Sequence, residues 1–260
     1  MGVSGAAWAT VLAQAVSALG ISIYSLQNQP VLKLRKEHFK PEFSIWKKII
    51  EFSLLTSVQQ SIMNFGILMI QGLINSFGVT VMAAFAAAVK IDAFAYMPAQ
   101  DFGNSFSTFI AQNFGAQQEI RLRKAIRSAF ALVLCFCLLI SCLIWIFAEP
   151  LMKIFIDPAE TQIIGIGVTY LRIEGSFYWG IGLLFLFYGL YRGVGKPGIS
   201  VVLTVISLGL RVLLAYCFAP TFLGLHAIWW AIPIGWVLAD LTGFVYYKKN
   251  HSSVFSFDKS

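Results

Sequence analysis

Three ionisable residues, Lys90, Asp92 and Asp101, lie inside one apolar stretch, "VKIDAFAYMPAQDFGNSFSTFIAQ", residues 89–112, which is long enough to cross a bilayer. A charge at bilayer depth costs about 2.5–3.5 kcal/mol on insertion scales, so such groups are tolerated where they face protein or water and mark ion or substrate routes. Each helical residue advances by about 100°, which puts Asp92 and Asp101 on opposite faces. Those two cannot form a paired-carboxylate site. Lys90 and Asp101 share a face but stand about 16 Å apart along the axis, beyond contact on a continuous helix. Asp101 shares its face with Asn104, Ser105, Thr108 and Gln112. This polar stripe either lines a water-filled cavity or grips a neighbouring helix. Asp92 lies on the face of Tyr96 and Gly103 near the middle of its span. A carboxyl there either carries a proton or forms a structural salt bridge with Lys90's neighbourhood on an adjacent helix, or with Arg172 or Arg211. Pro98 removes a backbone hydrogen bond and Gly103 loosens packing, so a kink or hinge is expected between them and their surroundings.

Other intramembrane charges are few. Arg172 and Glu174 sit in "YLRIEG" and Arg211 in "SLGLRVLLAY". Adjacent helices could pair Glu174 with Arg211, neutralising both where water is scarce. Asp240, in "GWVLADLTGF", is expected near a solvated helix end or bonded to a neighbour. The 23 Phe, 7 Trp and 9 Tyr form a large aromatic load. Amphipathic cations bind aromatic faces at roughly 0.5–2 kcal/mol per good contact, and Phe65, Met69, Tyr178, Trp179 and Phe185 are the candidate walls of such a cavity. Lipid-facing and interfacial aromatics account for most of the others.

An intramembrane enzyme would need converging catalytic groups. The acids of the 89–112 helix diverge, no His lies mid-span, and no GxSxG, HExxH or phosphate-cradling loop is present. The expectation is therefore no enzyme and no cofactor. Cys135, Cys137, Cys142 and Cys217 all sit in apolar runs, and His38, His226 and His251 are scattered at segment ends, which argues against metal sites and disulfides.

The elements that must position these residues are membrane helices. Of the 260 residues 58% are hydrophobic and only 12% charged, with a mean hydropathy of +0.76, whereas soluble domains carry roughly 25% charged residues. A net charge of +7 could suit nucleic acid, but the basic residues lie between apolar runs rather than along one polar face, so no nucleic-acid partner is expected. The fold class is all-α integral membrane, with seven predicted spans at 3–26, 49–75, 79–113, 127–148, 163–191, 198–219 and 224–247. Turn signals such as "NQP", "NSFG", "NFGAQ" and "RGVGKPG" separate them. Alternate loops collect fifteen Lys and Arg, from Lys33 to Lys259, while the opposite loops hold only Lys153. The bias of basic residues predicts a cytoplasmic C-terminus, an external 149–162 turn and an external start to the chain. The opening span has no basic flank and no cleavable signal pattern.

Four stretches resemble the multidrug and toxin extrusion (MATE) family, in that family's order and over almost the whole chain. "KIDAFAYMPAQDFGNSFSTFIAQNFGA" with its basic loop "QQEIRLRKAIRSA" resembles the second helix and following loop of the family's C-terminal lobe. "YLRIEGSFYWGIGLLFLFYGLYRGVGKPG" resembles the fourth helix of that lobe, and "GVSGAAWATVLAQAVSAL" the sixth helix of the N-terminal lobe. The resemblance implies two six-helix lobes, of which this chain would hold one helix of the first (1–27), a cytoplasmic linker (28–48), the six-helix second lobe (49–248) and a tail (249–260). It implies an antiporter in the plasma (inner) membrane that exports amphipathic organic cations in exchange for H+ or Na+, with an N-terminal lobe as partner and lipid around it. Two-lobe construction with a site between halves is a general transporter design. In some family members coupling uses a glutamate of the seventh helix and an aspartate of the tenth. The matching stretches here, "QQSIMNFGIL" and "YWGIGLLF", hold no carboxylate, so the coupling acid is expected in the other lobe. Asp92, Asp101, Asn104, Thr108, Gln112, Lys90, Glu174 and Arg211 remain the candidates along an ion or substrate path. Two alternatives stay open: a flippase-like relative moving lipid-linked substrates, which should have a basic cavity for a diphosphate, and a membrane subunit without transport activity.

Overall fold

The computed structural model describes residues 2–28 and 42–249. The central part of the expected linker and nearly all of the expected tail fall outside the described residues. Eight helices and no strand occur among them: α1 (Gly2–Asn28), α2 (Phe43–Asn75), α3 (Val79–Gly115), α4 (Glu119–Phe155), α5 (Thr161–Gly175), α6 (Tyr178–Gly193), α7 (Pro197–Phe218) and α8 (Gly224–Lys249). Six are long and apolar enough to cross a membrane, and α5 with α6 form a seventh span bent by 50°. The all-α membrane class and the number of spans therefore stand as expected.

The chain divides into two compact units, residues 1–50 and 51–260. In the first, α1 presents Trp8, Val16, Leu19 and Ile21 at its surface, each more than 60% exposed. An apolar helix with such a surface suits lipid or another protein segment rather than water.

The second unit is a bundle built around α6. Every residue from Leu184 to Tyr191 is buried, and a helix apolar on all sides takes the centre of a membrane bundle. It packs on α3, α4, α7 and α8, while α5 packs on α3, α4 and α8. Close approach of α3 and α6 depends on glycine. A Cβ on Gly103 would meet the Phe185 carbonyl oxygen at 2.8 Å, and one on Gly189 would collide with the Gly103 carbonyl. Gly189 and Gly193, four apart, both face α3, a small-xxx-small arrangement that lets membrane helices touch by backbone. Gly103 thus tightens a contact rather than loosening one, and α3 continues as one helix through Pro98. The bundle's polar links are sparse. Gln59 of α2 donates to Thr204 of α7 at 3.0 Å, and the Tyr191 hydroxyl donates to the Gly243 carbonyl of α8 at 2.6 Å.

The predicted 163–191 span departs from a single helix. Its apolar run is continuous, but Gly175 and Ser176 fall together, and Gly/Ser pairs are a recognised cause of sharp kinks. Ser176 Oγ donates to the Arg172 carbonyl at 2.6 Å. Across the break the backbone changes to i→i−3 bonds, Phe177 N–H to Glu174 O at 2.9 Å and Gly180 N–H to Phe177 O at 2.8 Å. The direction of the chain changes there.

Candidate functional site

The break faces Asp92. This residue sits in the middle of α3 with 5% of its surface exposed. Its Oδ2 accepts a hydrogen bond from the Tyr170 hydroxyl of α5 at 2.6 Å. Its Oδ1 accepts a second from the Tyr178 hydroxyl of α6. Glu174, one helical turn beyond Tyr170, is also buried and close enough to act on both Asp92 and Tyr170, yet its Oε2 has no hydrogen-bond partner. Arg211 of α7 is half-buried, acts electrostatically on both carboxyls, and leaves its Nε without a partner. An aromatic wall closes one side: Tyr170 meets Trp229 edge-on at 4.7 Å and Phe85 at 5.4 Å, and Phe85 stacks on Trp229 at 5.7 Å. Two carboxyls this close and away from water would repel each other strongly if both were ionised. A single cation shared between them, a proton or an alkali metal ion, would relieve that repulsion and use the idle oxygen of Glu174.

The expected salt bridge of Asp92 with Arg172 or Arg211 does not form: no cation comes within ion-pair distance of it among the described residues. Tyrosine hydroxyls take that place, because two O–H donors satisfy a buried carboxylate without burying a second charge. Nor do Glu174 and Arg211 form a direct pair. Arg172 points away and lies over the Trp145 ring at 5.2 Å. Lys90 is exposed and lies over the Phe155 ring at 5.8 Å. The acids of one helix diverge, as the 100° rule requires, but acids of different helices converge: Asp92 from α3 and Glu174 from α5 lie close enough to act on one another. The acid of this span, Glu174, sits just before the break, in "YLRIEG", and not in "YWGIGLLF".

The Asp101 stripe lies on a different face. Asp101, Asn104, Ser105, Thr108 and Gln112 are all exposed. Asn104 Oδ1 accepts from Arg192 of α6 at 3.1 Å, so the stripe includes one interhelical bond while the remainder stays open. Of the five proposed cavity walls, Tyr178 and Phe185 are buried in the bundle and cannot line an open surface, whereas Phe65 is 66% exposed and Met69 and Trp179 are half-buried.

Two features escaped sequence reasoning, and one expectation is corrected. Tyr170 and Tyr178 lie in an apolar run rich in aromatics, where nothing distinguishes a hydroxyl that meets Asp92 from one that meets lipid. On α2, Gln60, Asn64, Gln71 and Asn75 recur at i, i+4, i+11 and i+15, which puts them on one face; they pair along the helix at 3.4 and 3.2 Å. That periodicity was readable. Asp240 is 7% exposed, and neither carboxyl oxygen has a hydrogen-bond partner. It is not solvated: it packs against Gly180, in the first turn of α6, where Oδ2 would lie 3.6 Å from a Cβ. Among the described residues no group of three or more His, Cys, Asp or Glu could hold a metal ion.

Comparison with known proteins agrees with this architecture. The MatE family model matches residues 54–217. A protein named "Probable multidrug resistance protein NorM" from Thermotoga maritima is 28% identical over 231 residues, covering 88% of this chain and 49% of its own length. "Probable multidrug resistance protein YpnP" from Bacillus subtilis is 28% identical over 255 residues, covering 95% and 55%. Among solved structures, a MOP-superfamily transporter from Pyrococcus furiosus, described as having a binding pocket of reverse polarity, superimposes with a TM-score of 0.88 at 25% identity, over 98% of this chain and 57% of that one. None of these names is an enzyme's. The chain spans about half the length of the curated relatives it matches.

Proposed function

The chain belongs to the MATE family of multi-pass membrane transporters, and from that premise we propose that it supplies the C-terminal lobe of an exporter that exchanges amphipathic organic cations for H+ or Na+ across the plasma membrane. Asp92 and Glu174 are the cation-binding pair of this lobe, and the N-terminal lobe contributes the other wall of the substrate cavity. The observation that carries this reading is that two buried carboxyls interact, Asp92 bonded to Tyr170 and Glu174 one turn beyond that tyrosine with an oxygen that has no partner deep in the bundle. Intramembrane carboxyls held this way are characteristic of ion routes. The exposed stripe from Asp101 to Gln112, on another face of α3 and running to the end of its span, supports a separate water-lined face, since exposed polar side chains are poorly solvated by lipid tails. The two lobes would then alternate around that face, as in other transporters built from paired repeats.

The test is transport by the chain reconstituted in vesicles together with an N-terminal lobe. A pH or Na+ gradient should drive export of a cationic dye, and Asp92→Asn or Glu174→Gln should abolish gradient-driven export while leaving the amount of folded protein unchanged. Full export by the Glu174→Gln form under both gradients would remove the pair from the mechanism.

A further inference from the structure

We propose that Asp92 clamps the broken span at its bend, and that a cation taken up by its carboxyl changes the angle between α5 and α6. The inference rests on the reading that Asp92 and Glu174 hold the coupling cation, and adds what that cation does. The two oxygens of one side chain are divided between the two halves of a span: Oδ2 takes the Tyr170 hydroxyl of α5, before the break, and Oδ1 takes the Tyr178 hydroxyl of the first residue of α6, after it. Between those anchors the span is bent by 50° and held by i→i−3 backbone bonds. Asp92 itself belongs to a third, uninterrupted helix, locked to α6 further along by the Gly103–Gly189 contact. It is therefore a fixed post against which the two halves are positioned.

The clamp depends on charge. An ionised carboxylate accepts both hydroxyls in short, charge-assisted bonds. When a proton or an alkali ion neutralises it, neither bond remains charge-assisted, and the oxygen that becomes a donor or is taken by the ion no longer accepts its tyrosine proton as before. The groups that act on Asp92 are Tyr170 and Glu174 from α5, Tyr178 from α6 and Arg211 from α7. Glu174, three residues before Phe177, already has an idle oxygen and is placed to take the incoming cation with Asp92. Loss of either tyrosine bond frees one half-helix, and the bend relaxes. The cation is thereby read out as a change in the shape of the span rather than as a local change of charge alone.

Hydrogen exchange of the full chain in lipid nanodiscs tests this. In Asp92→Asn and Tyr178→Phe, the amides of residues 175–180 should exchange roughly tenfold faster, with the interiors of α3 and α6 unchanged. In the wild type, acidification or added Na+ should produce the same local rise after correction for intrinsic rates, and Asp92→Asn should abolish that response. Unchanged exchange at the break in both variants overturns the clamp, and so does a rise spread evenly over all helices. A parallel transport assay separates the two readings. If Asp92→Asn stops gradient-driven export without altering exchange at the break, the clamp fails and coupling stands. If it loosens the break while export continues, the coupling reading fails and Asp92 remains a clamp that transport does not use.

Discussion

Replacing Gly103 by alanine tests whether the α3–α6 contact sets the bundle. The new Cβ would lie 2.8 Å from the Phe185 carbonyl oxygen and 3.1 Å from its Cβ. Ordinary contact requires α6 to retreat by about 0.5 Å, and a gap of that size forfeits about a quarter of each atom pair's attraction of 0.1–0.2 kcal/mol. A contact patch the size of one large side chain has roughly 60 such pairs, so the loss is about 2 kcal/mol. That lies within the 1–3 kcal/mol typical of overpacking. The obstacle is backbone on both sides, so no rotamer change relieves it. Gly165 of α5 is the control, because a Cβ there meets nothing within 4 Å and the substitution removes a flexible helix residue at a gain of about 0.5–1 kcal/mol. The assay is unfolding of the reconstituted chain by SDS titration, followed by tryptophan fluorescence. Gly103→Ala should lower the midpoint and Gly165→Ala should hold or raise it. If the two variants shift together, the close approach does not carry the stability assigned to it.

Two further outcomes follow from buried and exposed polar groups. Asp240→Leu should stabilise the chain by about 1–3 kcal/mol in the same titration, because it removes a buried carboxyl whose oxygens have no partner; destabilisation of that size would mean that Asp240 makes an essential bond. In a background lacking Cys135, Cys137, Cys142 and Cys217, cysteines at Asn104 or Thr108 should react with water-soluble maleimide in the transporter while one at the buried Ile110 should not; equal reactivity at all three positions would refute a water-lined stripe.

The fold was largely legible because lipid imposes a strong rule: every backbone group must be paired inside its own helix, so length and apolarity alone locate the spans. What composition could not show was the break in the fifth full span. Gly175 and Ser176 were visible, but Gly/Ser pairs also occur in straight membrane helices, and only the neighbours decide whether a kink is held. Here Ile144 packs on Gly175, where a Cβ would lie 3.1 Å away, and Asp92 binds on both sides of the turn.

The site was legible by residue type and not by partner. Periodicity correctly separated Asp92 from Asp101, since faces of one helix follow from arithmetic. Pairings between helices do not: whether Asp92 meets Arg172, Arg211 or two tyrosines depends on rotations about each helix axis that a single sequence leaves free. The expectation of opposite charges pairing was physically reasonable but incomplete, because an arginine stem must also find room, and Arg172 found the Trp145 ring instead.

The broken span and the buried acids belong to one physical solution. An unbroken α5–α6 helix would keep Tyr170 and Tyr178, eight residues apart, about 12 Å apart along its axis, so their hydroxyls would approach one carboxylate from well-separated turns. Bending the span brings them together around Asp92, and the two bonds satisfy an acid that would otherwise be expensive to bury. The same bend places the first turn of α6, with Gly180 stripped of a side chain, against Asp240 of α8. Two buried carboxyls from different helices thus converge on the few residues where the backbone has given up regular helix.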